Sequence, residues 1–218
     1  MRAIQVTATG GPEVLRPVEL PAPPPGPGRV TIETSAAGIN YIDTYHRIGL
    51  YPLPLPFVPG MEGAGIVVEI GDGVEDLEPG DTVAWVDVMG SYATLVSAPA
   101  DRVVRVPAGV GADLAAGVML QGMTAHYLVN DTFPLRPGHR CLIHAAAGGV
   151  GLLLVQLAKR AGAIVFATAG SPEKAGLAAA AGADHVIEYR TADFKESIEG
   201  LAGPRPLDVV FDGVGRAV

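Results

Sequence analysis

The residues with the clearest chemical meaning run from Cys141 to Lys159, C-L-I-H-A-A-A-G-G-V-G-L-L-L-V-Q-L-A-K. An apolar triplet, Cys141-Leu142-Ile143, gives way to a glycine turn and then to a helical apolar pattern from Val150 onward, which predicts strand, turn and helix in immediate succession. Gly148 and Gly151 lack the Cβ atoms that would hold a phosphate off the backbone and the helix off the strand. Free N–H groups and the positive end of the helix dipole favour an anion at that turn, so a dinucleotide pyrophosphate suits it. The candidate cradle is Ala147, Gly148, Gly149, Val150 and Gly151, with Ala146 standing where G-x-G-x-x-G has its first glycine. Further on, Thr168-Ala169-Gly170-Ser171 closes a second expected strand without the carboxylate that would accept from a ribose 2′-hydroxyl. A 2′-phosphate would instead meet Ser171, the following helix N-terminus and the charge of Lys174, with Tyr189 and Arg190 on the same side.

These residues need a parallel sheet to hold them, and the pattern supplies one. Strand one is expected at Cys141–Ala145, helix one at Val150–Ala161 with Gly162 as its stop, and strand two at Ile164–Thr168. Helix two starts with Ser171 as N-cap and Pro172 as first helical residue and stops at Gly182. Strand three is His185–Glu188, a third helix follows Thr191, and strand four is Asp208–Asp212. Right-handed crossovers fix the sheet order as 3-2-1-4. Because a full dinucleotide-binding sheet has two more strands, the chain reads as about two thirds of a protein, with strand four as an open edge.

Ahead of this α/β half, strand-like segments recur at Met1–Ala8, Val14–Leu20, Arg29–Thr34, Gly65–Ile70, Thr82–Val86, Tyr92–Ser97 and Arg102–Val106, which describes a small barrel or sandwich. Pro21 to Gly28 is a stiff connector. Asn40 is placed to cap a short helix through Ile42 to Arg47. An Ala-rich helical pattern spans 112–130, and the domain boundary is set near Gly122, giving domains 1–122 and 123–218.

Composition narrows the function. The 218 residues are 49% apolar and 17% charged, enough for well-filled cores, and a net charge of -8 without any basic run argues against a nucleic-acid groove. One cysteine, Cys141, excludes an intrachain disulfide and a thiolate zinc cage, and its apolar strand marks it as a buried, inert thiol. His46, His126, His139, His144 and His185 show no ligand spacing, so no metal site is expected. No apolar run approaches a membrane span and the N-terminus has no signal core, so no membrane partner and a cytoplasmic location are expected.

Gly60-Met61-Glu62-Gly63-Ala64-Gly65-Ile66-Val67-Val68-Glu69-Ile70-Gly71, followed by Gly80-Asp81-Thr82-Val83, resembles the barrel signature of the medium-chain dehydrogenase/reductases. Ala145-x-x-Gly148-x-x-Gly151 with Gln156 and Lys159, and Gly38-Ile39-Asn40-Tyr41-Ile42-Asp43-Thr44-Tyr45, are similar to the zinc-independent quinone oxidoreductases of the zeta-crystallin type. The resemblance implies a GroES-like β-barrel domain followed by a Rossmann sheet, incomplete after strand four. It gives Lys174 and Tyr189 the 2′-phosphate role, which points to NADPH as cofactor. Asn40, Tyr45, Tyr51 and Arg47 are placed by it around nicotinamide and substrate, Tyr41 and Thr124 beside the cofactor, and Asp212 and Gly213 at the end of strand four, where the family often has Asp-Ser. Zinc-dependent relatives carry Cys where this chain has Asn40 and His where it has Met61. The implied reaction takes reducing equivalents from NADPH to a quinone or another electron-poor small molecule, in a homodimer when the fold is complete. Two other readings stay open: an NADPH-dependent enoyl-thioester reductase, which shares the A-A-x-G-G-V-G turn, and a nucleotide-binding or structural protein without turnover.

Overall fold

A computed structural model describes residues 1–203 and 207–215. The chain divides into two compact units, Met1–Leu120 and Gln121–Val218. The first opens with a hairpin, β1 (Arg2–Val6) antiparallel to β2 (Leu15–Glu19). There follow β3 (Arg29–Ala37), α1 (Tyr41–Ile48), β4 (Glu62–Ile70), β5 (Thr82–Val86), β6 (Leu95–Pro99) and β7 (Val103–Arg105). These last five strands form one antiparallel sheet in the order β6-β3-β4-β5-β7. Their β-branched residues alternate inward as a pleated strand requires: Val30, Ile32, Val67, Val83, Val96 and Val103 surround the fully buried ring of Trp85.

β3 runs on to Ala37 rather than Thr34, and the bounds of β4 and β6 differ from the sequence expectation for tertiary reasons. β4 starts at Glu62 rather than Gly65 because its first residues pair with Val86, Trp85 and Ala84 of β5. β6 is Leu95–Pro99 rather than Tyr92–Ser97, because Tyr92 sits in a turn tied by its N–H to Pro59 O, while Arg29 to Glu33 of β3 claim residues 95–99.

The boundary between units falls within α2 (Ala112–Tyr127), which continues into a π-helical turn, Leu128–Thr132. The second unit then runs β8 (Arg140–Ile143), α3 (Gly149–Arg160), β9 (Ile164–Ala169), α4 (Pro172–Ala180), β10 (His185–Glu188), α5 (Phe194–Ala202) and β11 (Val209–Phe211). All its ladders are parallel, in the order β10-β9-β8-β11, which is the expected 3-2-1-4. Strands covered on both faces should be continuously apolar, and β9 is buried from Val165 to Ala169. One face packs Cys141, Ile143, Val165 and Ala167 against Leu154, Val155 and Ala158 of α3; the other packs Leu142, Phe166 and Ile187 against Ile198 of α5. Strand one is shorter than expected, because Ala145 leaves the ladder with a left-handed φ of 49°. Among the described residues no helix is long and apolar enough to cross a membrane.

Candidate functional site

The glycine turn lies where β8 hands the chain to α3. Gly148 is the N-cap of α3 with extended backbone and no side-chain cap, and no acidic residue lies in the first turn. A Cβ on Gly151 would collide with the carbonyl oxygen of Ala145 and come within 2.8 Å of the Ala146 backbone, so only glycine lets the helix approach the strand this closely. The two following helices are capped by their own side chains. Ser171 Oγ accepts from Lys174 N at 3.3 Å at the start of α4, and Asp193 accepts from Lys195 and Glu196 N at the start of α5.

Beside the turn is a cleft of about 150 Å³ lined by Ala145, Ala147, Gly148, Thr168, Ala169, Gly170, Lys174, Tyr189 and Val214. Five sequence-derived candidates, Ala147, Gly148, Gly170, Lys174 and Tyr189, thus share one surface. A Cβ on Gly170 would lie 2.7 Å from the Tyr189 hydroxyl, so the phenol rests directly over that glycine. Among the described residues no carboxylate lines the cleft, and Lys174 is exposed within it, which fits the phosphate-bearing end of NADP(H) better than a bare ribose.

Gly149, Val150, Gly151, Ser171, Asp212 and Gly213 flank the cleft without lining it, and Thr124 lies on α2. Asp212 has a local task. Its Oδ1 accepts from Val214 N at 2.8 Å and Gly215 N at 2.9 Å, which folds the turn that brings Val214 to the cleft, and these bonds hold its carboxyl below the usual range. The sequence reading missed Ala145, Thr168, Ala169 and Val214. His144 behind them is buried, with Nδ1 2.9 Å from Thr168 Oγ1 and its ring edge-on to Phe194; burial pushes its pKa down. Cys141 is buried too, and desolvation pushes its thiol up to about 12, an inert state.

In the first unit α1 gathers the other candidates. Tyr41, Tyr45 and Tyr51 form an aromatic chain, with ring centroids 5.3 Å apart for the first pair and 5.4 Å for the second, both edge-to-face. Tyr41 is 77% exposed and Tyr51 49%, so these rings present surface rather than fill a core. Arg47 donates from Nε to Gly10 O at 3.2 Å, which ties it to the loop after β1. Asn40, the N-cap of α1, is buried; its Nδ2 donates to Glu62 Oε2 at 2.7 Å and its backbone N to Asp43 Oδ2 at 2.9 Å. Glu62 also accepts from Leu120 N at 2.6 Å, and desolvation raises its pKa. Asp43 Oδ2 further accepts from the Tyr92 hydroxyl at 2.7 Å, which pushes the phenol upward together with burial. The signal for Glu62 was legible: a carboxylate opening the apolar run G-A-G-I-V-V must find a partner. Among the described residues no group of three or more His, Cys, Asp or Glu is placed to hold a metal.

Residues 26–108 match the family description "Alcohol dehydrogenase GroES-like domain", and residues 149–218 match "Zinc-binding dehydrogenase". Quinone oxidoreductase 1 of Escherichia coli is 43% identical over 209 residues, covering 95% of this chain and 64% of that protein. A Pseudomonas aeruginosa quinone oxidoreductase is 42% identical over 99% of this chain and 67% of its own length. The solved structure of the E. coli quinone oxidoreductase complexed with NADPH superposes with a TM-score of 0.97 at 41% identity, over all of this chain and 67% of that one. The chain belongs to the quinone oxidoreductase family.

Within this medium-chain dehydrogenase/reductase family, the chain spans about two thirds of the length of the relatives it matches. As a quinone oxidoreductase homologue it carries the expected fold class, a GroES-like unit and a Rossmann-type parallel sheet. The segment matching the zinc-binding description contains one histidine, His185, and no cysteine, and His185 stacks on Phe166 with ring centroids 4.6 Å apart.

Proposed function

We propose that this chain transfers reducing equivalents from NADPH to a quinone without a metal. The observation that carries the reading is the carboxylate-free cleft beside an uncapped α3 N-terminus, with Gly170, Lys174 and Tyr189 at its mouth. Similarity to a quinone oxidoreductase complexed with NADPH supports the same cofactor. Bound NADPH would supply a hydride from its dihydronicotinamide ring. The chain's own part is to bind, orient and exclude water. Gly148, Gly149 and Gly151, with Ala147 and Val150, would let the pyrophosphate reach the α3 backbone, and Ser171 and Lys174 would hold the 2′-phosphate.

A quinone is planar and electron-poor, so hydroxyl and amide donors suffice to polarise its carbonyls. Tyr45, Tyr51 and Asn40 are the donors we assign to it, with Arg47 fixing the α1 end and Tyr41 and Thr124 beside the cofactor. Asp212 and Gly213 shape the turn behind the nicotinamide half. A cytoplasmic location accompanies the proposal, as does a family-type homodimer where the fold is complete. Stopped-flow absorbance at the reduced-nicotinamide band tests it: the signal should decay with small quinones and stay flat with a crotonyl thioester. Decay with the thioester alone would transfer the assignment to an enoyl-thioester reductase, and NADPH binding without decay on either would leave a nucleotide-binding protein.

A further inference from the structure

We propose that the first unit binds a buried water molecule between Asp43 Oδ1 and His46 Nδ1, as the polar core of α1. The buried residues of this helix are that aspartate and that histidine, 6% and 7% exposed. A surface helix ordinarily turns apolar side chains inward, yet here Tyr41 and Ile48 are 77% and 49% exposed. A polar buried face is stable only when each of its atoms finds a hydrogen-bond partner.

The protein meets half of that requirement. Asp43 Oδ2 takes two donors, the Asn40 backbone N–H at 2.9 Å and the Tyr92 hydroxyl at 2.7 Å. Asp43 Oδ1 and His46 Nδ1 are buried with no protein partner, so no hydrogen bond joins the two atoms directly. Residues three apart on a helix are neighbours on one face, with Cβ atoms about 5–6 Å apart, so both orphans flank one place.

Water suits both atoms wherever the protons lie. It can donate to Oδ1, or accept from it if the carboxyl is protonated, and it complements Nδ1 in either neutral tautomer. A metal ion lacks ligands, because among the described residues no group of three or more His, Cys, Asp or Glu is placed to hold one. An organic ligand lacks an entrance, because neither residue lines a described cleft. A buried water with two to four polar partners is an ordinary part of a globular interior. This one ties the first turn of α1, which carries Asp43, to the last, which carries His46. It therefore stiffens the helix that bears Tyr41 and Tyr45.

The full chain in solution, without cofactor or substrate, tests the proposal. In isotope-labelled protein the His46 Hε1, the carbon-bound proton next to Nδ1, should show a nuclear Overhauser cross-peak at the water frequency with the sign of a long-lived bound water. Its absence from the folded parent overturns the proposal. Tyr92→Phe removes the hydroxyl bonded to Asp43, and the cross-peak should persist; its loss there would trace the signal to the phenol and overturn the proposal equally. His46→Phe keeps a ring and removes Nδ1, leaving a buried polar partner unpaired, so the unfolding equilibrium constant should rise about tenfold or more. His46→Gln retains an amide that can hold the water and should stay within about threefold of the parent. A His46→Phe chain as stable as the parent, or a His46→Gln chain as destabilised as His46→Phe, would show that the fold does not need a polar atom there, and the proposal falls.

Discussion

In the proposed function, cofactor choice turns on Lys174. It is the single cation lining the described cleft, and no carboxylate opposes it there. A charged hydrogen bond to a 2′-phosphate contributes about 1.5–3 kcal/mol, so Lys174→Ala should weaken NADPH binding by about tenfold or more and leave NADH within about twofold. Isothermal titration with both cofactors measures it, and equal weakening of the two would place the 2′-phosphate elsewhere. Lys174 was legible because it stands three residues after a Ser-Pro helix start, a local pattern. Asn40 with Glu62, Asp43 with Tyr92 and His144 with Thr168 were not, since their partners lie 22, 49 and 24 residues away and no periodicity encodes a hydrogen bond across such separations.

At the scale of elements, the three sheet-covering helices divide by how their N-termini are satisfied. Ser171 and Asp193 cap α4 and α5, whereas Gly148 offers α3 no side chain, and in the proposed function the cofactor takes the place of that cap. Gly148→Asp separates stability from binding. The backbone there has φ -79° and tolerates a side chain, although its Cβ would sit 3.2 Å from Ala145 O. An aspartate cap contributes about 1 kcal/mol to a helix start, while its charge repels a phosphate at the same N–H groups. The variant should melt at or above the parental temperature and bind NADPH at least about tenfold more weakly. A variant that melts higher and still binds normally would show that the cofactor does not use this helix. The strand order 3-2-1-4 was readable because crossover handedness leaves one solution. The ends of β4 and β6 were not, since they depend on which neighbour claims each residue: Val86 for Glu62, and β3 for 95–99.

For the molecule as a whole, the acidic balance of -8 says little about fold stability, whereas a single buried base says more. His144 is buried beside Thr168 and Phe194; desolvation lowers its pKa from the ordinary 6.5, with the Asp212 carboxylate opposing. Above pH 6.5 the imidazole is neutral in both folded and unfolded chains and stability is unaffected. As pH falls below 6.5 the unfolded chain takes up a proton that the folded chain refuses, so stability declines through the window down to the lowered folded value and then levels. Carboxylates held low, such as Asp184 paired to Lys159 at 2.8 Å, lose their contribution only at more acid pH, below their unfolded value of 3.8, which keeps the two effects apart. His144→Gln retains an amide able to bond Thr168 but does not titrate. Followed by far-UV circular dichroism from pH 7.5 to 5, the parent's melting temperature should fall below pH 6.5 and the variant's should stay nearly level. Parallel curves for the two proteins would mean that the His144 pKa is the same in the folded and unfolded chains and that burial does not keep the proton off it.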